Sequence, residues 1–352
     1  MILRHVDVVT DQGIIKNCTL SIKEGKIHAI DKELAEEKNR WIVIPGFIDQ
    51  HIHISSTHFK TAKETLFSHG VTSFLPTVAT TSIKNMTTEL RQLSRIIRKD
   101  DAALGIHLEG PFLNKEKAGA QSQEGLCFYD AGKLETLINA SKNTIKILTF
   151  APEMVTDAFY QSYPSILKQI GHSKASNEMF MSAYNHGIKT ITHVFNALDS
   201  IHHRKESILL QSLLKEDIIY ELIADKVHVS LDMIKFFLKQ KPHIMCVSDA
   251  LCDQSVLGDN KLKLKDTHYY TNDGTLAGSN QYLDTGFKTL LDAGLTLTDA
   301  VQATSTNQSI YLGIDDCLGK IKVGYQADLV LLDKQYNVCK TIKSGKIMYE
   351  RR

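Results

Sequence analysis

Three features of the 352-residue sequence predict an α/β protein: a (β/α)8 TIM-like barrel with a small β-sandwich domain built from both termini. Eight short apolar runs alternate with amphipathic segments between residues 46 and 319, the rhythm of strand and crossover helix in a parallel sheet. The two ends, 1–45 and 320–352, read instead as short strands broken by Gly, Pro and Asp turns. Acids and histidines of the middle segment fall at the carboxyl ends of its apolar runs, the face where such barrels keep their chemistry. An open doubly wound sheet is the rival, and the placement of these polar residues favours the closed barrel.

At the N-terminus, Ile2 to Val9 leads into a turn at Asp11-Gln12-Gly13, Ile14 to Ile22 ends at Lys23-Glu24-Gly25-Lys26, and Trp41 to Ile44 ends at Pro45-Gly46. At the C-terminus, Ala327 to Leu332 is followed by Val338 to Ile342 and Ile347 to Tyr349, around Ser344-Gly345. Isolated hairpins are marginal, so the two ends are expected to pair with each other. The eight barrel strands are read at Phe47 to His53, Val71 to Pro76, Leu104 to Leu108, Ile145 to Thr149, Leu167 to Gly171, Lys189 to His193, Ile218 to Ala224 and His243 to Asp249. Between them, Ser82 to Lys99 carries Ile83, Met86, Leu90, Leu93, Ile96 and Ile97 on one stripe, which predicts a helix.

With 43% hydrophobic and 23% charged residues, the chain can bury one large core plus a satellite. A formal charge of +1 and a pI near 7.7 give no basic field suited to nucleic acid, so any anion must be held by local groups. No apolar run approaches the ~18–20 residues of a membrane span. Charges in Met1-Ile2-Leu3-Arg4-His5-Val6-Asp7 occupy the window where a signal peptide needs its apolar stretch. Six dispersed cysteines without C-x-x-C spacing read as reduced thiols. The expected compartment is the cytoplasm.

The chemistry centres on Gly105-Ile106-His107-Leu108-Glu109-Gly110-Pro111, where a strand runs into a carboxylate and a Gly-Pro stop. Four histidines stand at equivalent positions: His51 and His53, on one side of a strand by period two, then His172 and His193. Asp249 closes the last run. Each has a plainer reading: Glu109 could bond its own loop, His172 could cap a helix beginning near Ser173, and His193 could be a satisfied core histidine. Their joint placement at strand ends argues instead for a divalent metal ion held by imidazole and carboxylate. His107, His58, His69 and His186 are read as packing or surface residues, Cys246 and Cys252 as buried or incidental thiols, and Tyr269 to Gly274 as a surface turn.

The stretches Pro45-Gly46-Phe47-Ile48-Asp49-x-His51-x-His53, Gly70-Val71-Thr72-Ser73-Phe74-Leu75-Pro76-Thr77 and His107-Leu108-Glu109-Gly110-Pro111-Phe112 resemble the amidohydrolase superfamily, and within it the N-acetylglucosamine-6-phosphate deacetylase family. The likeness continues, in order, through Phe150-Ala151-Pro152-Glu153, Gly171-His172-Ser173, Thr192-His193-Val194-Phe195-Asn196-Ala197, Ala224-Asp225-x-x-His228, Ser248-Asp249-Ala250, Leu276-Ala277-Gly278-Ser279 and Gly319-Lys320-Ile321-x-x-Gly324-x-x-Ala327-Asp328-Leu329. It implies a metal-dependent barrel, usually a homodimer, that hydrolyses the acetamide of a 6-phosphorylated amino sugar, with one or two divalent ions per subunit (Zn foremost; Fe, Mn or Co also possible partners of such ligands). By that resemblance Glu109, His172 and His193 look like ligands of a first ion, His51 and His53 like ligands of a second, and Asp249 like the catalytic acid. His228 and Arg204 resemble substrate and phosphate contacts, some of which come from the neighbouring subunit; Asn196 and Ala197 resemble groups that also touch the sugar phosphate, and Gln121 falls where some members have a histidine that meets the substrate.

The chain departs from the family pattern near the expected sugar pocket. Ile54-Ser55-Ser56-Thr57-His58-Phe59 is shorter and less Gly-rich than the usual segment after the histidine pair, Lys226 replaces a Gly, Lys205-Glu206-Ser207 follows Arg204 where Glu-Pro-Gly is common, and Leu251-Cys252-Asp253-Gln254 replaces a run of small residues. The metal chemistry is therefore expected to be intact, with the substrate either N-acetylglucosamine 6-phosphate or another N-acyl amino sugar. A non-catalytic sugar-phosphate binder is the remaining reading, and Asp249 with the full ligand set speaks against it.

Overall fold

Eight parallel strands occupy the middle of the chain in strict sequential order: Phe47–His53, Val71–Val78, Ile106–Glu109, Ile145–Phe150, Leu167–Ile170, Thr190–Ile191, Ile219–Ile223 and Ile244–Val247. All eight fall within the segments read from the sequence or end one or two residues beyond them. In this computed structural model residues 1–33, 41–252 and 255–351 are described; Asp253 and Gln254, part of one departure noted above, lie outside them, as do residues 34–40 and residue 352. The first and last strands close the ring through a parallel bridge between His53 and Leu251, with Asp249 N donating to the His51 carbonyl at 2.9 Å and His53 N to the Ala250 carbonyl at 2.8 Å. An open sheet is thereby excluded.

Polar side chains begin the helices between the strands. Ser82 caps Ile83–Ile97 by accepting from Asn85 N, and Met86, Leu90, Leu93 and Ile97 bury the stripe seen in the sequence. Asp130, Ser176, Ser207 and Ser230 cap Ala131–Ser141, Asn177–Asn185, Ile208–Leu213 and Leu231–Gln240 in the same way. Because Ser176 starts the helix after the fifth strand, His172 is free of the capping role considered for it.

Strands from both ends form one seven-stranded sheet in the order Lys346–Glu350, Val338–Lys343, Leu329–Leu332, Trp41–Pro45, Ile2–Thr10, Gly13–Lys23, Lys26–Lys32. The expected pairing of the termini is made by Trp41–Pro45, parallel to Ile2–Thr10 and antiparallel to Leu329–Leu332. The sheet curls so that Lys26 at its edge bridges Gln326. Alternation then divides each strand between two cores: Val43, Leu329 and Leu331 face the enclosed core of the sheet, while Ile44, Val330 and Leu332 face the barrel.

One ion pair pins this junction. Lys343 Nζ lies 2.7 Å from Asp328 Oδ2 and donates to Ser73 Oγ of the second barrel strand at 3.2 Å, with both charged side chains 5% exposed or less. Removing one partner of a buried pair leaves the other charge uncompensated. Lys343→Ala is expected to lower unfolding free energy by about 3–5 kcal/mol, read from urea denaturation.

After the eighth strand the chain departs from the simple barrel. Val256–Leu257 pairs with Asn260–Lys261, and Lys263–Lys265, His268–Tyr270 and Leu276–Ser279 form a three-stranded sheet. Tyr269, read as part of a surface turn, is instead a strand residue buried with Ala79, Ala120, Leu257 and Ala277; only 271–275 turn. Tyr and His at alternating polar positions gave too little apolar signal to betray a strand. No helix among the described residues is long and apolar enough to cross a membrane.

Candidate metal centre

Glu109 ends the third strand, whose four residues are all buried. Gly110 follows at φ +88°, and a side chain there would meet Thr80 Oγ1 at 2.1 Å. That hydroxyl donates to the Glu109 carbonyl at 2.7 Å, so only glycine lets the strand stop and turn here. Gln121 donates from Nε2 to Glu109 Oε2 while its Oε1 accepts from Thr80 N at 2.6 Å, holding the carboxylate from the side.

His172 and His193 reach the other oxygen. Glu109 Oε1 lies 2.9 Å from His172 Nε2 and 3.1 Å from His193 Nε2, and the two ring nitrogens are 3.1 Å apart. His172 Nδ1 lies 2.7 Å from the Lys117 carbonyl, which assigns the proton to Nδ1 and leaves the lone pair of a neutral ring at Nε2. Before His172, Gly171 lets the fifth strand approach the sixth, since a Cβ there would stand 2.1 Å from Thr192 Cγ2.

The first strand supplies the second half of the cluster. His51 Nε2 and His53 Nε2 lie 3.6 and 3.7 Å from the two Glu109 oxygens, and 3.4 and 3.1 Å from Asp249 Oδ1. Burial would raise the Glu109 carboxyl, but His51, His172 and His193 hold it well below the usual carboxylate range. Asp249 is held low in the same way, by His51 and His53 against its burial.

These donors fit a divalent ion. Two imidazole nitrogens and a carboxylate oxygen converge within 3.1 Å, and the buried His51 Nε2 makes no hydrogen bond to any described residue. Imidazole with carboxylate is a common donor set for first-row divalent metals. The backbone is bent to this end: His172, His193 and Asp249 have φ of 49°, 23° and 47°. Such left-handed conformations cost roughly 1–3 kcal/mol each in non-glycine residues and concentrate at functional sites.

The cluster floors a cavity of about 210 Å³. Gln121, Asn196, Ala197 and His228 line it beside the acids and histidines, so the structure brings ten of the eleven residues singled out from the sequence to one place, His51 lying just beneath the floor. Arg204 is the exception: it stands exposed on the 199–207 loop, its backbone N donating to His202 Nδ1 at 3.2 Å. Left-handed Phe195 and Ala197, at φ 78° and 52°, shape the loop that presents Asn196.

Two supporting groups escaped the sequence reading. Glu221, wholly buried in the seventh strand, lies 3.1 Å from His51 Nδ1 and accepts from Thr192 Oγ1 at 2.7 Å and Gln50 Nε2 at 2.6 Å. A lone acid inside Ile218-Ile219-Tyr220-Glu221-Leu222-Ile223 was the available signal. By accepting from Nδ1 it turns the His51 Nε2 lone pair toward the ion site, a carboxylate–histidine arrangement whose loss commonly weakens metal affinity or activity 10- to 100-fold. Glu221→Gln is expected to do so here, with ion affinity measured by competition against a chelating dye. His268, from the inserted sheet, is the second: Asp225 Oδ2 sits 2.5 Å from His228 Nδ1 and 2.9 Å from His268 Nε2. Burial would lower the His228 imidazole, but the bond and charge of Asp225 raise it, and the ring lines the cavity. His107, by contrast, bonds the Gln50 carbonyl and Thr149 Oγ1, and burial pushes it down to about 3, a neutral packing residue as read.

A barrel with this donor cluster at its carboxyl mouth defines a candidate metal-binding enzyme scaffold. The amidohydrolase family model matches residues 42–348. The N-acetylglucosamine-6-phosphate deacetylase of Lysinibacillus sphaericus is 30% identical over 378 residues, spanning 99% of this chain and 97% of that protein. The crystal structure of N-acetylglucosamine-6-phosphate deacetylase from Thermotoga maritima superposes with a TM-score of 0.91 at 35% identity, covering all of both chains. An N-acetylgalactosamine-6-phosphate deacetylase of Escherichia coli O157:H7 is 26% identical over 369 residues, 96% of each chain. The chain belongs to the amidohydrolase family and, within it, to the N-acetylglucosamine-6-phosphate deacetylase family.

Proposed function

We propose that this protein removes the acetyl group from N-acetylglucosamine 6-phosphate, giving glucosamine 6-phosphate and acetate. The observation that carries the reading is the meeting of Glu109, His172 and His193 within 3.1 Å, with Asp249 beside His53 at the same cavity. Family membership supports it. In this reading Glu109, His172 and His193 hold one divalent ion, and His51 and His53 hold a second where one binds; zinc is the ion proposed, with Fe, Mn or Co as substitutes. When bound, the ion supplies a Lewis acid that polarises the amide carbonyl and lowers the pKa of water from 15.7 towards ~7.

The chain's own groups do the rest. Asp249 accepts the proton released as water's oxygen bonds the carbonyl carbon, then delivers it to the nitrogen as the C–N bond breaks. His228, held by Asp225, donates to the developing oxyanion or to a sugar hydroxyl. Asn196 and Ala197 position the sugar phosphate, and Gln121 steadies Glu109 at the substrate's edge. Arg204, too exposed to serve its own cavity, is assigned to the phosphate in the site of a second subunit, because its planar donors suit phosphate and a homodimer is the proposed assembly. We assign the catalytic barrel to 46–319 and the small β domain to 1–45 and 320–352, in a cytoplasmic enzyme.

Acetate release from N-acetylglucosamine 6-phosphate, its galacto epimer and the unphosphorylated sugars tests this reading. Turnover of the gluco 6-phosphate at least tenfold above the others supports it; preference for the galacto epimer shifts the substrate, and release from none of them by ion-loaded protein leaves only binding.

A further inference from the structure

A second cavity, about 440 Å³, adjoins the metal-centre cavity, and His53 and Leu257 line both. Ile54, Ser55, Thr57 and His58, which follow the first strand, form one wall. The rest of the lining mixes apolar side chains, among them Val78, Met86 and Val256, with hydroxyls such as Ser55 and Thr81. Its two acids, Glu89 and Asp259, are engaged by Ser56 and Asn85, and among the described residues no lysine or arginine lines it. With His53 and His58 as its only basic side chains among the described residues and two carboxylates in its wall, the chamber disfavours an anionic group, and its apolar side chains suit a neutral one.

Its position selects which part of a substrate enters. Asn196, Ala197 and His228 lie beyond the sixth and seventh strands, whereas the chamber opens past the first and second, across the mouth from them. An amide held between these sides, with its amino sugar toward Asn196 and His228, directs its acyl carbon past His53. Resting on the deacetylase reading, we infer that the chamber is an acyl subsite and that the protein hydrolyses neutral N-acyl groups longer than acetyl, such as propionyl and butyryl, from the same amino-sugar phosphate. The reaction is unchanged: water's oxygen joins the acyl carbon, the C–N bond breaks, and the carboxylate and amine depart.

The test is kcat/KM for the N-acetyl, N-propionyl and N-butyryl compounds with ion-loaded protein. The inference expects the butyryl compound to equal or exceed the acetyl one, since an unfilled pocket discriminates weakly between chain lengths. A closed acyl site would reject the added methylenes by about 100-fold or more, and that result overturns it. Val256→Trp, at a position 41% exposed, fills the chamber with little demand on folding. It is expected to lower kcat/KM for butyryl at least tenfold more than for acetyl, and equal losses on both compounds also overturn the inference. Turnover of acetyl without butyryl removes the chamber and spares deacetylation, whereas turnover of no acyl compound removes both.

Discussion

Glu109→Ala is expected to abolish turnover and ion binding together. Its two oxygens lie within 3.7 Å of all four histidine Nε2 atoms, so the substitution leaves His172 and His193 facing each other with no carboxylate between them, Asp249 remaining beside His51 and His53 alone. A bound ion contributes several kcal/mol of transition-state stabilisation, and each 1.36 kcal/mol is tenfold, so kcat/KM should fall by ~10³ or more. Ion content of the dialysed variant, by elemental mass spectrometry, should drop well below one per chain. Retention of a full equivalent would remove Glu109 from the centre and return it to the plainer reading of a residue that bonds its own loop.

Asp249→Asn should separate chemistry from ion binding. The side chain meets the cluster from the first-strand side, 3.4 and 3.1 Å from His51 and His53, and takes no part in the Glu109, His172 and His193 triangle. Asparagine keeps the shape but cannot accept and return a proton. General acid–base catalysis of this kind is worth ~10²- to 10⁴-fold, so kcat should fall within that range while the ion held by Glu109, His172 and His193 is retained. A variant with undiminished kcat would show that another group carries the proton.

The contrast between these variants reflects what the sequence made legible. Glu109, His51, His53, His172, His193 and Asp249 were visible because each ends an apolar run, and a parallel barrel gathers its strand ends at one mouth whatever their separation in the chain. Glu221 was hidden because it sits inside its strand and faces inward, where a sequence shows only an acid out of place. His268 was hidden for another reason. It reaches Asp225 from a small sheet inserted after the eighth strand, 43 residues along the chain, and no periodicity announces a contact of that kind. Arg204 marks a third case: the motif around it was readable, but the fold leaves its side chain exposed on a loop and outside the cavity.

The edge of the small sheet, Lys26–Lys32, also went unread, because its short run Ile27 to Ile30 is interrupted by His28 and flanked by charged residues. Its partner strands were clear, since Val43, Ile44 and Leu329 to Leu332 are apolar on both faces, as a strand between two cores must be.

The most direct measurement is acetate release by protein stripped of divalent ions with a chelator, followed as zinc is titrated back. The account predicts no turnover of N-acetylglucosamine 6-phosphate by the stripped protein and recovery as the first equivalents bind, lost in Glu109→Ala. Full activity in the stripped protein, with no bound ion detectable, would contradict it.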